Sequence, residues 1–284
     1  MRRCATGLVS AAVDALRQLD EWPAENAAAG VVADGEVVAT HGDAARWFGW
    51  ASVTKPATAL AVLVAAEEGT VDLDDPAGPQ GSTVRHLLAH TSGLPFEGTE
   101  PLAKPGTRRI YSNAGFEVLA RFVEAQAQMP FPEYLRQAVF EPLGMSATLE
   151  GSAGAGVHGT LDDVLRLGRE LLDPALVAPE TLDEATTVQF PGLGGVIPGI
   201  GRYDPNDWGL GLELRDRKPS HWTGNRASEL TFGHFGGSGT FLWVDPERRL
   251  ALAALTDLEF GEWALDAWPR LSDAVIGELA SKAK

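Results

Sequence analysis

The sequence predicts an α/β fold, an α+β sandwich in which an antiparallel sheet built from both chain ends is flanked by helices and interrupted by an inserted, mainly α-helical region. Three observations carry this expectation. Short β-prone runs gather toward the two chain ends, and helical periodicity dominates between them. The 284 residues, at about 150 per domain, suggest two units or one unit with a large insertion. The division that follows is a sandwich unit of residues 1–56 and 200–284 and a mainly α-helical insertion of 57–199. A cleft between them is the natural place for a site.

The elements follow in chain order. Leu8, Val9, Ala12, Val13, Leu16 and Leu19 recur with the period of a helix packed on a core. Segments 29–33 and 36–40 are β-prone and flank Asp34-Gly35, a pair that tolerates the positive φ angles of a type I′ hairpin turn. The most apolar stretch, 56–66, stops at Glu67 and Glu68, well short of the about 20 residues a membrane span needs. It reads as a buried helix. Phe116, Leu119, Ala120 and Val123 form one helical stripe, and Leu161, Val164, Leu165, Leu167 and Leu172 another, opened by a Thr160-x-x-Asp163 capping box. Residues 191–205, dense in Gly and Pro, read as a loop returning the chain to the sheet. Segments 208–214, 240–245 and 250–256 look like three more strands, the last two linked by Pro246-Glu247-Arg248-Arg249. A final helix begins near Glu262.

Composition narrows the function classes. With 44% apolar and 22% charged residues, the chain is neither disordered nor fibrous. Its 23 basic against 39 acidic side chains give a net charge of -16, which repels a phosphate backbone, so no nucleic-acid partner is expected. Cys4 stands alone, so neither an internal disulfide nor a cysteine zinc site is available. Asp14 and Arg17 interrupt the weak apolar stretch after Arg2 and Arg3. The expectation is therefore no signal peptide, no membrane partner and a cytoplasmic location.

Three motifs could carry chemistry. In Ser52-Val53-Thr54-Lys55, a spacing of three puts both side chains on one face of a helix's first turn, where Pro56 is tolerated. A neutral lysine amine there can take the serine proton while the helix N-terminus favours developing negative charge. The same spacing suits a serine helix cap beside a solvated lysine, and Ser281-Lys282-Ala283-Lys284 repeats it. In Tyr111-Ser112-Asn113, a phenol and an amide point the same way on an extended segment, one able to move a proton and the other to hold a carbonyl. A packed tyrosine beside an asparagine cap has the same pattern. In Gly233-His234-Phe235-Gly236-Gly237-Ser238-Gly239, glycines allow a ligand close to backbone N–H groups. A phosphate loop is disfavoured because no Gly-Lys-Ser/Thr follows and the segment enters a strand, while a plain glycine turn fits equally well.

The ordered combination of all three resembles the serine β-lactamase and penicillin-binding protein superfamily. It is most similar to the branch of class C β-lactamases, D-alanyl-D-alanine carboxypeptidases and esterases. Supporting text includes 87–95, Leu-Leu-Ala-His-Thr-Ser-Gly-Leu-Pro, with Lys104-Pro105-Gly106-Thr107 and Glu141-Pro142-Leu143-Gly144-Met145. The resemblance covers residues 28–260 or so. It implies Ser52 as the acylated nucleophile, Lys55 as its base partner, Tyr111 as the proton shuttle and Asn113 as the holder of a substrate amide. His234 stands where the β-lactamases usually have lysine, and Gly237 where a backbone N–H joins that of Ser52 in an oxyanion hole, with Gly236 beside it. Phe235 departs from the hydroxyl residue often found there and cannot hydrogen-bond a carboxylate.

Other constellations are weaker. His86 and His90 have metal-ligand spacing, but Leu87 stands where a metalloprotease glutamate would, and the resemblance makes His90 a structural loop residue. Asp74-Asp75 and Asp162-Asp163 read as turn and cap residues, and no serine carries the flanking glycines of a nucleophile elbow. Trp50 and Trp222 are candidates for lining an acyl pocket. Arg202 and Arg226 are candidates for a carboxylate contact. The expected function is a serine hydrolase acting on a small ester or amide through an acyl-enzyme, with no metal and no cofactor. The alternatives are a β-lactamase or D-alanyl-D-alanine carboxypeptidase and, from another class, a ligand-binding or sensing protein that keeps the scaffold without turnover.

Overall fold

Asp34 and Gly35 take φ values of 49° and 79°, the two left-handed conformations of a type I′ turn. They join β1 (Ala27–Ala33) to β2 (Glu36–Gly42) in the expected hairpin. The computed structural model describes residues 13–282. Of the opening helical pattern, Leu8, Val9 and Ala12 therefore lie outside the described residues, whereas Leu16 and Leu19 are buried.

The sheet is antiparallel and draws on both chain ends. With β3 (Glu213–Leu214), β4 (Phe232–Gly236), β5 (Thr240–Asp245) and β6 (Leu250–Thr256), the strand order is β2-β1-β6-β5-β4-β3. The first and last of these strands pair directly, Ala27 opposite Thr256 and Ala33 opposite Leu250. Alternation then sorts side chains between two cores. Leu242, Val244, Ala251, Ala253 and Leu255 face a larger core under the helical region. Phe241, Trp243, Leu250, Leu252 and Ala254 face a second core under the C-terminal helix α4 (Glu262–Lys282). Burial on both faces explains why β5 and β6 read as continuous apolar runs. The expected fold class is borne out.

Within the larger core runs α1 (Thr54–Glu67), buried at every residue from Thr54 to Ala65, as an all-round apolar helix must be. Also in this region are α2 (Asn113–Ala127) and α3 (Leu161–Leu172). The Thr160–Asp163 capping box is present, and Asp163 also accepts from the Ser146 N–H at 2.7 Å. Asp72 and Asp75 cap their own turn, with the Asp72 N–H donating to Asp75 at 2.8 Å. Among the described residues, no helix is long and apolar enough to cross a membrane.

Three local expectations are corrected. Segment 208–214 is not a full strand. Only Glu213 and Leu214 pair with β4, because Gly211 has φ 74° and the N–H groups of Leu210 and Gly211 turn to Ala185 and Leu88 instead. The returning loop 191–205 contains a small hairpin, Gly195–Ile197 with Gly201–Tyr203. Residues 232–236 are a strand and not part of a glycine loop. Glycine's weak strand preference hid it, but a side chain at Gly236 would stand 2.4 Å from the Trp50 carbonyl.

Candidate active site

Ser52 sits on a tight turn, Ala51–Val53, that runs straight into α1. Ala51 has φ 45°, a left-handed conformation that costs a non-glycine residue on the order of 1 kcal/mol and persists only when its surroundings hold it. They do. The Trp50 N–H donates to Val157 at 2.8 Å, Thr240 Oγ1 donates to the Trp50 carbonyl at 2.8 Å, and Ser238 Oγ donates to the Gly49 carbonyl at 2.7 Å. The nucleophile turn is thereby pinned between β5 and the strand Val157–Gly159.

One helical turn on, Lys55 is completely buried, with its Nζ 3.1 Å from Ser52 Oγ, 2.6 Å from Asn113 Oδ1 and 2.8 Å from the Gly154 carbonyl. Burial pulls its amine down to about 7, against the opposing field of Glu117. Near neutrality a lone pair is therefore available. Two of the three neighbours can only accept from it, so a neutral amine gives both N–H groups to Asn113 and Gly154 and turns its lone pair to the Ser52 hydroxyl.

Tyr111 comes from the extended segment before α2, which Ser112 caps by accepting from Gly115 at 2.8 Å. Its hydroxyl donates to Ser52 Oγ at 2.8 Å and lies 3.3 Å from His234 Nε2. Burial pushes the phenol up, only partly offset by the Ser52 contact, so it stays protonated through the neutral range. Lys55 and Tyr111 thus shift in opposite directions. His90 backs the ring at 4.6 Å between centroids, with Trp208 edge-on to His90 at 4.7 Å and Phe96 stacked on Tyr111 at 5.9 Å. Arg109, buried two residues earlier, fixes the loop through the carbonyls of Ala89, Gln189 and Asn206 at 2.6, 2.7 and 2.9 Å.

His234 is buried on β4 and its Nδ1 meets the Phe235 carbonyl at 2.7 Å. Burial, and then the Lys55 charge, lower its pKa to about 3, so the ring is neutral. Phe235 packs edge-on against Trp222 and Trp268 in the second core. Together these residues border a cavity of about 340 Å³ whose walls include Ser52, Tyr111, Asn113, His234, Phe235 and Gly237. Every candidate site residue on that wall was legible beforehand, with Lys55 beneath and Gly236 against the Trp50 carbonyl. A larger hollow, about 890 Å³, shares Asn113 and Ala155 with it.

A family profile described as Beta-lactamase matches residues 15–153 and 146–275. The chain belongs to the beta-lactamase family. Penicillin-binding protein 4* of Bacillus subtilis (strain 168) is 31% identical over 134 residues, 36% of this chain and 30% of that protein. The crystal structure of a β-lactamase from Mycobacterium bovis is 55% identical with a TM-score of 0.92, covering 93% of this chain and 99% of that one. A penicillin-binding protein homologue from Caulobacter crescentus shares the fold at 19% identity and a TM-score of 0.76, covering 98% of this chain and 99% of that one. The chain spans 30% to 53% of the length of the first curated relatives it matches.

The resemblance to the beta-lactamase family is borne out, while several neighbouring residues take places the sequence does not signal. Trp50 and Trp222 do not line the cavity. Trp50 is fully enclosed and Trp222 lies behind Phe235, whereas Trp208 forms the wall. Arg202 pairs with Asp204 at 3.9 Å and is mostly exposed, and Arg226 borders a separate groove beside Asn225 and Ile276, so neither reaches the site. His86 bonds Thr83 at 2.9 Å and His90 accepts the Ser112 N–H at 3.1 Å, which gives both structural work. Among the described residues no cluster of His, Cys, Asp and Glu has a metal-binding arrangement.

Unforeseen on the cavity wall is Glu213, buried and bonded to Lys218 and His221, each at 2.9 Å, and to the Trp222 indole at 2.5 Å. Burial alone would raise its carboxyl, yet His221 and Lys218 overcome this and hold it well below the usual range. The network anchors Trp222 and, through it, the wall at Phe235.

Proposed function

We propose that this chain is a serine hydrolase that cleaves small, uncharged esters or amides through an acyl-enzyme on Ser52. The observation that carries the reading is the double contact of Ser52 Oγ, 3.1 Å from the buried Lys55 amine and 2.8 Å from the Tyr111 hydroxyl, at the wall of an apolar cavity. In acylation, Ser52 Oγ bonds the substrate carbonyl carbon as its proton passes to Lys55. The carbonyl oxygen turns toward the N–H groups of Ser52 and Gly237, and Tyr111 gives its proton to the leaving atom, to be reprotonated from Lys55. Asn113 holds a carbonyl of the substrate. Water then attacks the acyl carbon, loses its proton to Lys55, and the departing Ser52 oxygen regains one. The family membership supports this chemistry. Incubation with an activated ester or a fluorophosphonate, followed by intact mass and peptide mapping, should place one adduct on Ser52, and an adduct elsewhere overturns the mechanism.

Neutral substrates are preferred because the cavity offers a carboxylate no cation. His234 is neutral, Phe235 has no hydroxyl, and Arg202 and Arg226 lie elsewhere. A hydrogen bond to a charged group is worth about 1.5–3 kcal/mol, so carboxylate-bearing substrates should lose roughly ten- to a hundredfold in kcat/KM. Matched neutral and carboxylate-bearing esters, compared in wild type and in His234→Lys with Phe235→Thr, measure this. A wild type that already favours the carboxylate, or a double variant with an unaltered ratio, contradicts it.

A further inference from the structure

Where a lysine would present only donors, this site presents a nitrogen that can only accept. His234 Nδ1 faces the Phe235 carbonyl at 2.7 Å, and a carbonyl can only accept, so the ring proton is on Nδ1 and Nε2 carries a bare lone pair. Tyr111 is its only hydrogen-bond partner among the described residues, at 3.3 Å. A phenol has one proton, and that proton is given to Ser52 Oγ at the shorter distance of 2.8 Å. Ser52 cannot satisfy Tyr111 in return when its own proton is turned to a neutral Lys55. A buried acceptor is thus left without a donor on a cavity wall whose other members near it are the mainly apolar Trp208, Phe235, Ile197 and Phe260 and the carboxylate of Glu213, itself an acceptor already taken up by Lys218, His221 and Trp222.

We propose that His234 Nε2 is a specificity site that accepts a hydrogen bond from a hydroxyl on the substrate's leaving group, so that the preferred substrate is the monoester of a diol or polyol. This rests on the acyl-enzyme reading above, because it is the leaving atom that meets the Tyr111 hydroxyl. That hydroxyl lies between Ser52 Oγ and His234 Nε2, so a second hydroxyl a few bonds from the leaving oxygen comes within reach of Nε2. The lone pair that welcomes a hydroxyl also repels a carboxylate.

The test compares 2-hydroxyethyl and 3-hydroxypropyl acetate with propyl and butyl acetate, in which a methyl group takes the place of the hydroxyl at nearly the same size. Wild type should favour the better hydroxyl ester by about tenfold in kcat/KM, the effect of satisfying one buried acceptor. The ratio should fall to about one in His234→Phe, which has no acceptor, and below one in His234→Lys, which has only donors. Fluorophosphonate labelling of Ser52 in each variant shows that its nucleophile turn is intact. A wild-type ratio near one for both chain lengths, or a ratio that survives in a labelled variant, overturns the assignment. The imidazole 15N resonance of Nε2 in wild type supplies a readout independent of variants and of turnover. It should shift on titration with ethylene glycol and not with 1,2-dimethoxyethane, and equal responses overturn the proposal. Absence of a Ser52 adduct in wild type would instead remove the acyl-enzyme reading, leaving the nitrogen titration to decide the acceptor.

Discussion

Ser52→Ala should lower kcat/KM for any ester the protein turns over by about 10⁴- to 10⁶-fold, on the order of 5–8 kcal/mol of transition-state stabilisation. The size follows from what a single oxygen does here. Ser52 Oγ is the atom to which Lys55 and Tyr111 both point, so its removal leaves a base with nothing to deprotonate and an acid with no bond to assist. The residual rate is that of backbone donors and binding acting on water. Stability should barely move, because Ser52 is only partly buried, Lys55 keeps Asn113 and Gly154, and Tyr111 keeps His234. Steady-state kinetics with thermal unfolding in parallel separate the two effects. A variant that retains a tenth of the activity with a native melting transition would show that Ser52 is not the nucleophile.

How much of this site is visible in a bare sequence depends on how far apart its parts lie. Ser52 with Lys55, and Tyr111 with Asn113, are local pairs whose spacing already fixes a shared face, so they could be found without a fold. Their convergence, with Lys55 bonded to Asn113 across 58 positions, required the ordered resemblance to a known family. What stayed hidden has no local period. The Gly154 carbonyl that takes one Lys55 N–H is 99 residues away, Arg109 grips carbonyls 20 to 97 positions distant, and Glu213 collects Lys218, His221 and Trp222 from an irregular loop. The strand β4 was masked for a different reason. Its glycines are there because the Trp50 carbonyl and the β5 backbone come so close, and that closeness is a tertiary fact. Tryptophans mislead in the same way: hydrophobicity says that Trp50, Trp208 and Trp222 are buried, but not which of them borders the empty volume.

The pH profile tests the division of labour between Lys55 and Tyr111. Below about 7 the Lys55 amine is an ammonium without a lone pair, so kcat/KM should fall close to tenfold for each pH unit on the acidic side and level off above it. No decline from Tyr111 is expected in the accessible alkaline range, because burial holds its phenol protonated. A phenolate base would give a limb of the same direction but a different place, rising only near the upper end of the scale. Lys55→Ala should cost about 10²- to 10⁴-fold and abolish the limb near 7, while Lys55→Arg should fail to restore it, since a guanidinium remains charged. Tyr111→Phe should cost a comparable factor for poor leaving groups, retain the limb, and matter least for an activated nitrophenyl ester whose nitrophenolate leaves without a proton. Survival of the acidic limb in Lys55→Ala would assign the base elsewhere. If instead the limb vanishes in Tyr111→Phe and persists in Lys55→Ala, the roles are exchanged, with the phenol titrating as the base despite its burial.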